Sequence, residues 1–234
     1  MEDLLKLLTG PVFRLCFAIM LLGLLRVFFL DIWSAYAAYR KAGDKTMPWK
    51  LIISRGMEWI FPVKRIAHNR PFYSMFSVLF HIGLLIVPLF LFAHVQLWKE
   101  SLGFGWITLP YHWAYLLTIS TIVFAIALFI GRLLNKSSSF ICRKQDYLWP
   151  LILLIPFVTG FVCAHLSINP KIYQSFMLIH VLSADLIFIL IPFTKIAHCV
   201  LMPLSQIVCI PAWKFPPETD DAICTTLNKK GVSI

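Results

Sequence analysis

The sequence predicts an all-α integral membrane protein, a five-helix bundle with its N-terminus outside and its C-terminus in the cytoplasm. Three observations predict it. Of 234 residues, 59% are hydrophobic and only 14% charged, with a mean hydropathy of +0.80, which leaves too little polar surface for a water-soluble domain of this size. Five apolar stretches are each long enough to cross a bilayer, which takes about 20 residues as a helix. The basic residues lie mostly on one side of those stretches.

The five expected spans are Pro11–Leu30, Phe76–Leu97, His112–Leu133, Leu148–His165 and Phe176–Met202. The fourth is the shortest, and the fifth is long enough to tilt or to project beyond the membrane. Ala35-Tyr36-Ala37 resembles a signal-cleavage site. The leading segment carries Glu2 and Asp3 against Lys6, whereas signal peptides begin net positive, so a retained anchor is expected. The division expected is a membrane domain over residues 1–205 and a cytoplasmic tail over 206–234.

A formal charge of +10 raises the question of nucleic acid, but the charges follow the spans. Arg40, Lys41, Lys45, Lys50, Arg55, Lys64, Arg65 and Arg70 lie between spans one and two. Arg132, Lys136, Arg143 and Lys144 lie between spans three and four. Lys195, Lys214, Lys229 and Lys230 follow span five. The opposite side has Lys6, Lys99 and Lys171, with Arg14 just inside span one. This is the positive-inside pattern, and it sets the orientation; no nucleic-acid partner is expected. Within the first basic loop, Met47–Ala67 mixes aromatic and aliphatic residues with lysine and arginine, as an interfacial amphipathic segment would. Trp98, Trp106, Tyr111, Trp113 and Trp149 sit near span ends, like an aromatic belt. The tail, with Pro211, Pro216 and Pro217, reads equally as a docking surface for a soluble partner, together with the first basic loop, and as a loosely ordered terminus. Cys16, Cys142, Cys163, Cys199, Cys209 and Cys224 form neither C-x-x-C nor C-x-x-C-H, so covalent haem attachment is not expected.

The histidines carry the functional reading. Of His68, His81, His94, His112, His165, His180 and His198, only His68 lies clearly outside the spans. Ionisable residues inside a membrane are rare and usually functional. Neutral imidazole is a haem axial ligand, and helix-bundle cores hold such cofactors. His180 and His198 are eighteen residues apart; in an unbroken α-helix that is five turns, one face and roughly 27 Å of rise. His81 and His94 are thirteen apart, or roughly 20 Å. Spans two and five run in opposite directions, so His81 pairs with His198 towards the cytoplasm and His94 with His180 towards the outside. These four are the expected axial ligands of two b haems. Thirteen residues also turn an ideal helix by about 220°, which points His81 and His94 apart unless Pro88 kinks the span or a π-bulge changes its phase. His112 and His165 are the alternatives to His94. Arg26 is a candidate partner for a haem propionate, with snorkelling to the interface the simpler account.

The segment Phe80-His81-Ile82-Gly83, together with His180-Val181-Leu182, Ile191-Pro192-Phe193-Thr194-Lys195-Ile196-Ala197-His198 and Pro203, resembles the γ subunit of respiratory nitrate reductase. Five spans with the N-terminus outside match that family too, over about residues 10–205. Span two departs from it. Phe92-Ala93-His94-Val95-Gln96-Leu97-Trp98, Gly103-Phe104-Gly105-Trp106 and Leu109-Pro110 are more similar to the cytochrome b subunits of transmembrane redox complexes in sulfate reducers, the sulfite-reductase-associated and multihaem-cytochrome complexes. The resemblance implies a prokaryotic inner membrane, a cytoplasmic iron–sulfur partner, an extracytoplasmic multihaem cytochrome c and other membrane subunits. The outer haem would exchange electrons with menaquinol or an external cytochrome. Lys99, Glu100 and His112 are the candidates for a quinone site, each with a solvated loop as the plainer reading. Competing expectations are the cytochrome b anchor of a hydrogenase or formate dehydrogenase, which matches less well, and a proton-coupled transporter, which would show internal repeats or paired helix breaks. A desaturase would need clustered histidine boxes, and none occurs.

Overall fold

A computed structural model describes residues 2–41, 46–60, 71–135, 142–165, 169–209 and 219–228. All its regular elements are helical: α1 (Glu2–Leu7), α2 (Phe13–Lys41), α3 (Trp49–Ile60), α4 (Pro71–Phe90), α5 (Phe92–Leu102), α6 (Tyr111–Leu134), α7 (Lys144–His165), α8 (Pro170–Leu190), α9 (His198–Cys209) and α10 (Thr219–Thr226). A π-helical turn, Leu8–Val12, joins α1 to α2 around Pro11. His68, Lys45, Lys64, Arg65, Arg70, Lys136 and the tail prolines lie outside the described residues.

Five helical stretches are long and apolar enough to cross a membrane: Glu2–Lys41, Pro71–Phe90, Tyr111–Leu134, Lys144–His165 and Pro170–Phe193. This is a multi-pass membrane protein. Large apolar side chains such as Leu22, Phe29, Phe72 and Leu134 are exposed along these helices, where lipid solvates them.

Span one runs on as helix to Lys41, beyond the expected Leu30, and spans two and five differ from the sequence expectation by helix breaks. Span two does not run on to Leu97. It stops at Phe90; Leu91 is extended (φ −64°, ψ 133°) and α5 starts afresh. The break frees carbonyls at the end of α4, and other groups satisfy them, as buried backbone requires. The Trp106 indole N–H donates to Leu89 O (2.7 Å) and the Leu109 amide to Phe90 O (2.7 Å). Span five does not continue as α-helix to Met202. After Leu190 come two 3₁₀ turns, Ile191–Phe193 and Lys195–Ala197. Pro192 removes an amide donor there, and extended Thr194 accepts from the Ile196 amide with its own side chain. The five-turn argument for His180 and His198 assumed an unbroken helix, so their common face does not carry across this stretch.

The chain divides into two compact units, Met1–Met20 with Arg65–Leu190, and Leu21–Lys64 with Ile191–Ile234. In the first, α4, α6, α7 and α8 pack as successive antiparallel neighbours. Phe80, Ala125 and Leu128 form its core, with Tyr73, Phe76, Leu84, Phe124, Leu153 and Leu154 around them. Helices α4 and α6 pack tightly at Gly83, where a Cβ would overlap the Thr121 hydroxyl. Small residues at such crossings let membrane helices pack where lipid gives no hydrophobic drive. Thr121 is 1% exposed, and its hydroxyl donates to Leu117 O (2.5 Å). At one end of the unit, Arg132 donates to the Asp146 backbone carbonyl and to the Tyr73 hydroxyl, tying α6 to α7 and α4.

In the second unit, α3 packs on α9 with Ile52 buried, and Gly23 of α2 meets Pro192, whose Cβ would lie 2.5 Å from an added methyl. The amphipathic segment expected over Met47–Ala67 is helical from Trp49 to Ile60, with Arg55 paired to Glu58 at 2.8 Å.

Candidate functional site

The helix break at Leu91 re-aims the chain. Trp98, one turn beyond His94 in α5, is buried against Phe13, Phe17 and Phe188, with ring centres 5.1, 5.0 and 6.4 Å away. The Ser101 hydroxyl also donates to Thr9 O in the π-turn (3.2 Å). These contacts anchor α5 and turn His94, its one histidine, towards α8. There it meets His180: the two imidazole centres lie 5.9 Å apart with planes within 12° of parallel.

Each ring is oriented by a backbone carbonyl. His180 Nδ1–H donates to Pro156 O of α7 (2.8 Å), with the Thr159 hydroxyl 3.5 Å away. His94 Nδ1–H donates to Val87 O (3.4 Å), within the turn of α4 that precedes the break. A carbonyl only accepts, so the hydrogen of each neutral ring sits on Nδ1 and the lone pair on Nε2. Metal-ligating histidines take this form, with the far nitrogen fixed by an outer partner. Gly160 makes room for it: a Cβ there would lie 2.8 Å from His180 Cε1 and 3.0 Å from Nδ1.

His81 and His198 show the same local pattern. His81 Nδ1–H donates to Ser77 O (2.6 Å) and His198 Nδ1–H to Lys195 O (2.8 Å). His81 belongs to the first unit and His198 to the second. The alternatives to His94 lie elsewhere. His165 sits among Tyr111, Tyr115 and Phe161, and exposed His112 lies beside Tyr111. Lys99 and Glu100 are exposed on the last turns of α5, and Arg26 is exposed on α2, as snorkelling requires.

The sequence reading passed over Asp185 and Gly160. Asp185, on α8, is 5% exposed, and its Oδ2 is buried without a hydrogen-bond partner. Its signal was available, since it is the one carboxylate in Pro170–Leu190 and such residues are seldom placed idly. Gly160 carried no signal, because a glycine beside Thr159 in an apolar helix looks like any other small residue.

Among the described residues no three His, Cys, Asp or Glu side chains gather as a metal-ion cluster. An iron held within a porphyrin needs only two protein ligands, one on each face. Two imidazoles on one metal, with bonds of about 2 Å to each nitrogen, hold their ring centres roughly 6 Å apart. The His94–His180 spacing and tautomers fit that donor set.

A protein of Nitratidesulfovibrio vulgaris (Hildenborough strain), described only as "Protein", is 30% identical over 155 residues, covering 66% of this chain and 67% of its own length. This chain belongs to that protein's family. The relationship assigns no activity to either member. No protein-family model matches the chain, and no solved structure does.

Proposed function

We propose that this chain is the di-haem cytochrome b subunit of a respiratory redox complex in a prokaryotic inner membrane. The observation that carries the reading is the His94–His180 pair. Two imidazoles from different helices stand with ring centres 5.9 Å apart, each with Nδ1 held by a carbonyl, so that Nε2 of each would be the atom to hold an iron. They would hold the outer haem. By the sequence pairing His81 and His198 would hold the inner one, and the Nδ1 of each is likewise held by a carbonyl of its own helix or turn. Haem bound by two histidines has no open iron position and supplies one-electron transfer. The protein's part is to fix the imidazoles. Pro156 and Val87 carbonyls set their tautomers, Gly160 admits the His180 ring, and the Trp98 cluster fixes the helix that bears His94.

The basic residues of 40–70, 132–144 and the C-terminal segment support a cytoplasmic location for that side, with the N-terminus outside. On the cytoplasmic side the inner haem would exchange electrons with an iron–sulfur subunit. The outer haem would do so with menaquinol or an external multihaem cytochrome. Both partners follow from the resemblance to the sulfate-reducer complexes.

The test is the pyridine haemochrome and the dithionite-reduced spectrum of the purified protein. Two b haems per chain are expected. His180→Ala and His198→Ala should each remove one haem, and a different one. A colourless protein, or variants that keep both haems, would overturn the reading.

A further inference from the structure

The end of α2 marks where the second unit meets the membrane surface. Trp33 and Tyr36 are exposed there, with ring centres 6.2 Å apart, and exposed Arg40 and Lys41 close the helix. Aromatic rings with basic residues just beyond them are how a span enters the headgroup layer. Trp49 opens α3 eight residues after Lys41, a length of chain that reaches at most about 28 Å. Helix α3 lies on the connection between the first two spans, so it is tethered close to that surface.

Successive residues of a helix are turned by about 100°, which sorts α3 into three sides. Ile52 marks the buried side, where the helix packs on α9. Trp49, Ile53 and Met57, spaced by four, form a stripe beside it, each about half exposed or more. The third side is polar, with Lys50, Ser54, Arg55 and Glu58. Leu51 stands alone among them, as single apolar residues on a surface commonly do. A continuous stripe of large apolar side chains is another matter, since a helix turns such a stripe away from water. Arg55 is paired with Glu58 at 2.8 Å, so Lys50 carries the net positive charge of the helix. By the helical turn Lys50 stands only about 20° past Met57, at the edge of the stripe. From there its stem lies along apolar surface while the ammonium stays at phosphate level.

We propose that α3 docks flat on the bilayer through Trp49, Ile53 and Met57, and that Lys50, Arg40 and Lys41 bind anionic phospholipid headgroups around it. The occupant follows from the two chemistries that meet there. The stripe is apolar along its length and cationic at its edge and at the adjoining span end, which matches acyl chains beneath a layer of phosphates. In-plane helices bind by this sum of buried apolar area and attraction to anionic lipid. Zwitterionic lipid offers the same depth without the net charge, so the surface prefers the anionic kind. Each cation near such a surface favours docking about fivefold. The inference does not depend on the electron-transfer reading.

The test uses the full-length protein in nanodiscs, made of phosphatidylcholine alone or of equal parts phosphatidylcholine and phosphatidylglycerol. A ketone-bearing amino acid replaces Ile53 or Ser54 and carries a spin label, which leaves the native cysteines untouched. Collision with oxygen then reports lipid around the label, and collision with a nickel chelate reports water. With phosphatidylglycerol present, the label at 53 should read lipid and the label at 54 water. In phosphatidylcholine alone the docked fraction should fall. Lys50→Gln should lower the docked-to-undocked ratio in phosphatidylglycerol about fivefold. Water at both positions in phosphatidylglycerol, as a docking site for a soluble protein would give, would overturn the proposal. Equal docking in the two lipids would do the same, and so would an unchanged ratio in Lys50→Gln. Hydrogen exchange of the native chain needs no substitution. The α3 amides should exchange more slowly with phosphatidylglycerol present, and equal rates in the two lipids would count against the surface however the labelled variants fold.

Discussion

Gly160 lies against the edge of the His180 imidazole, so close that a single added carbon would stand 2.8 Å from Cε1. The ring occupies the volume a side chain would fill, and the bare backbone there lets it reach the Pro156 carbonyl one turn back. Gly160→Ala should push the ring off that carbonyl, and Gly160→Leu should displace it altogether. Expected for Gly160→Leu is a halved haem content, read by pyridine haemochrome, with the remaining haem spectrally unchanged. Full occupancy in that variant would mean that His180 does not face a ligand from this position.

The contact between Gly83 and Thr121 is purely a matter of packing. A methyl on Gly83 overlaps the Thr121 hydroxyl, and overpacking of this kind costs about 1–3 kcal/mol. Gly83→Ala should lower the thermal unfolding midpoint of the detergent-solubilised protein. Adding Thr121→Ala should restore part of the loss, because it removes the hydroxyl and leaves the Thr121 Cβ position, 3.1 Å away, and the Leu117 carbonyl oxygen, 3.2 Å away. An unchanged midpoint in the single variant would show that α4 and α6 do not meet there.

Asp185 is a buried carboxyl with an unpartnered oxygen. A leucine has the same branched shape, though bulkier, and removes the unsatisfied group, so Asp185→Leu should raise stability by about 1 kcal/mol in the same melting experiment. A residue kept against stability is usually kept for function, and electron-transfer rates in that variant are expected to fall. A lowered melting point would show that Asp185 has a partner it needs.

The spans were legible because length and hydropathy are one-dimensional properties. Where the helices break was only half legible. Pro88 and Pro192 are visible in the sequence, but Leu91 is extended because Trp106 and Leu109, from a later loop, are on hand to take the released carbonyls. That is a tertiary fact. It also resolves the phase conflict at His94. An ideal helix points it away from His81, and the break removes the constraint that made this matter. The meeting of His94 with His180 followed from antiparallel topology, whereas the carbonyls that orient both rings did not.

The single extended residue at Leu91 acts as a mechanical joint. It separates the register of the membrane-crossing segment from the angle at which His94 is presented. Residues gained or lost ahead of Val87 would shift His81 to suit a thicker or thinner bilayer and leave the His94 imidazole where the Val87 carbonyl and the Trp98 anchor hold it. Hydrophobic thickness and the geometry of the His94–His180 pair can therefore drift independently among relatives of this chain, a freedom that one straight helix carrying both histidines would not have.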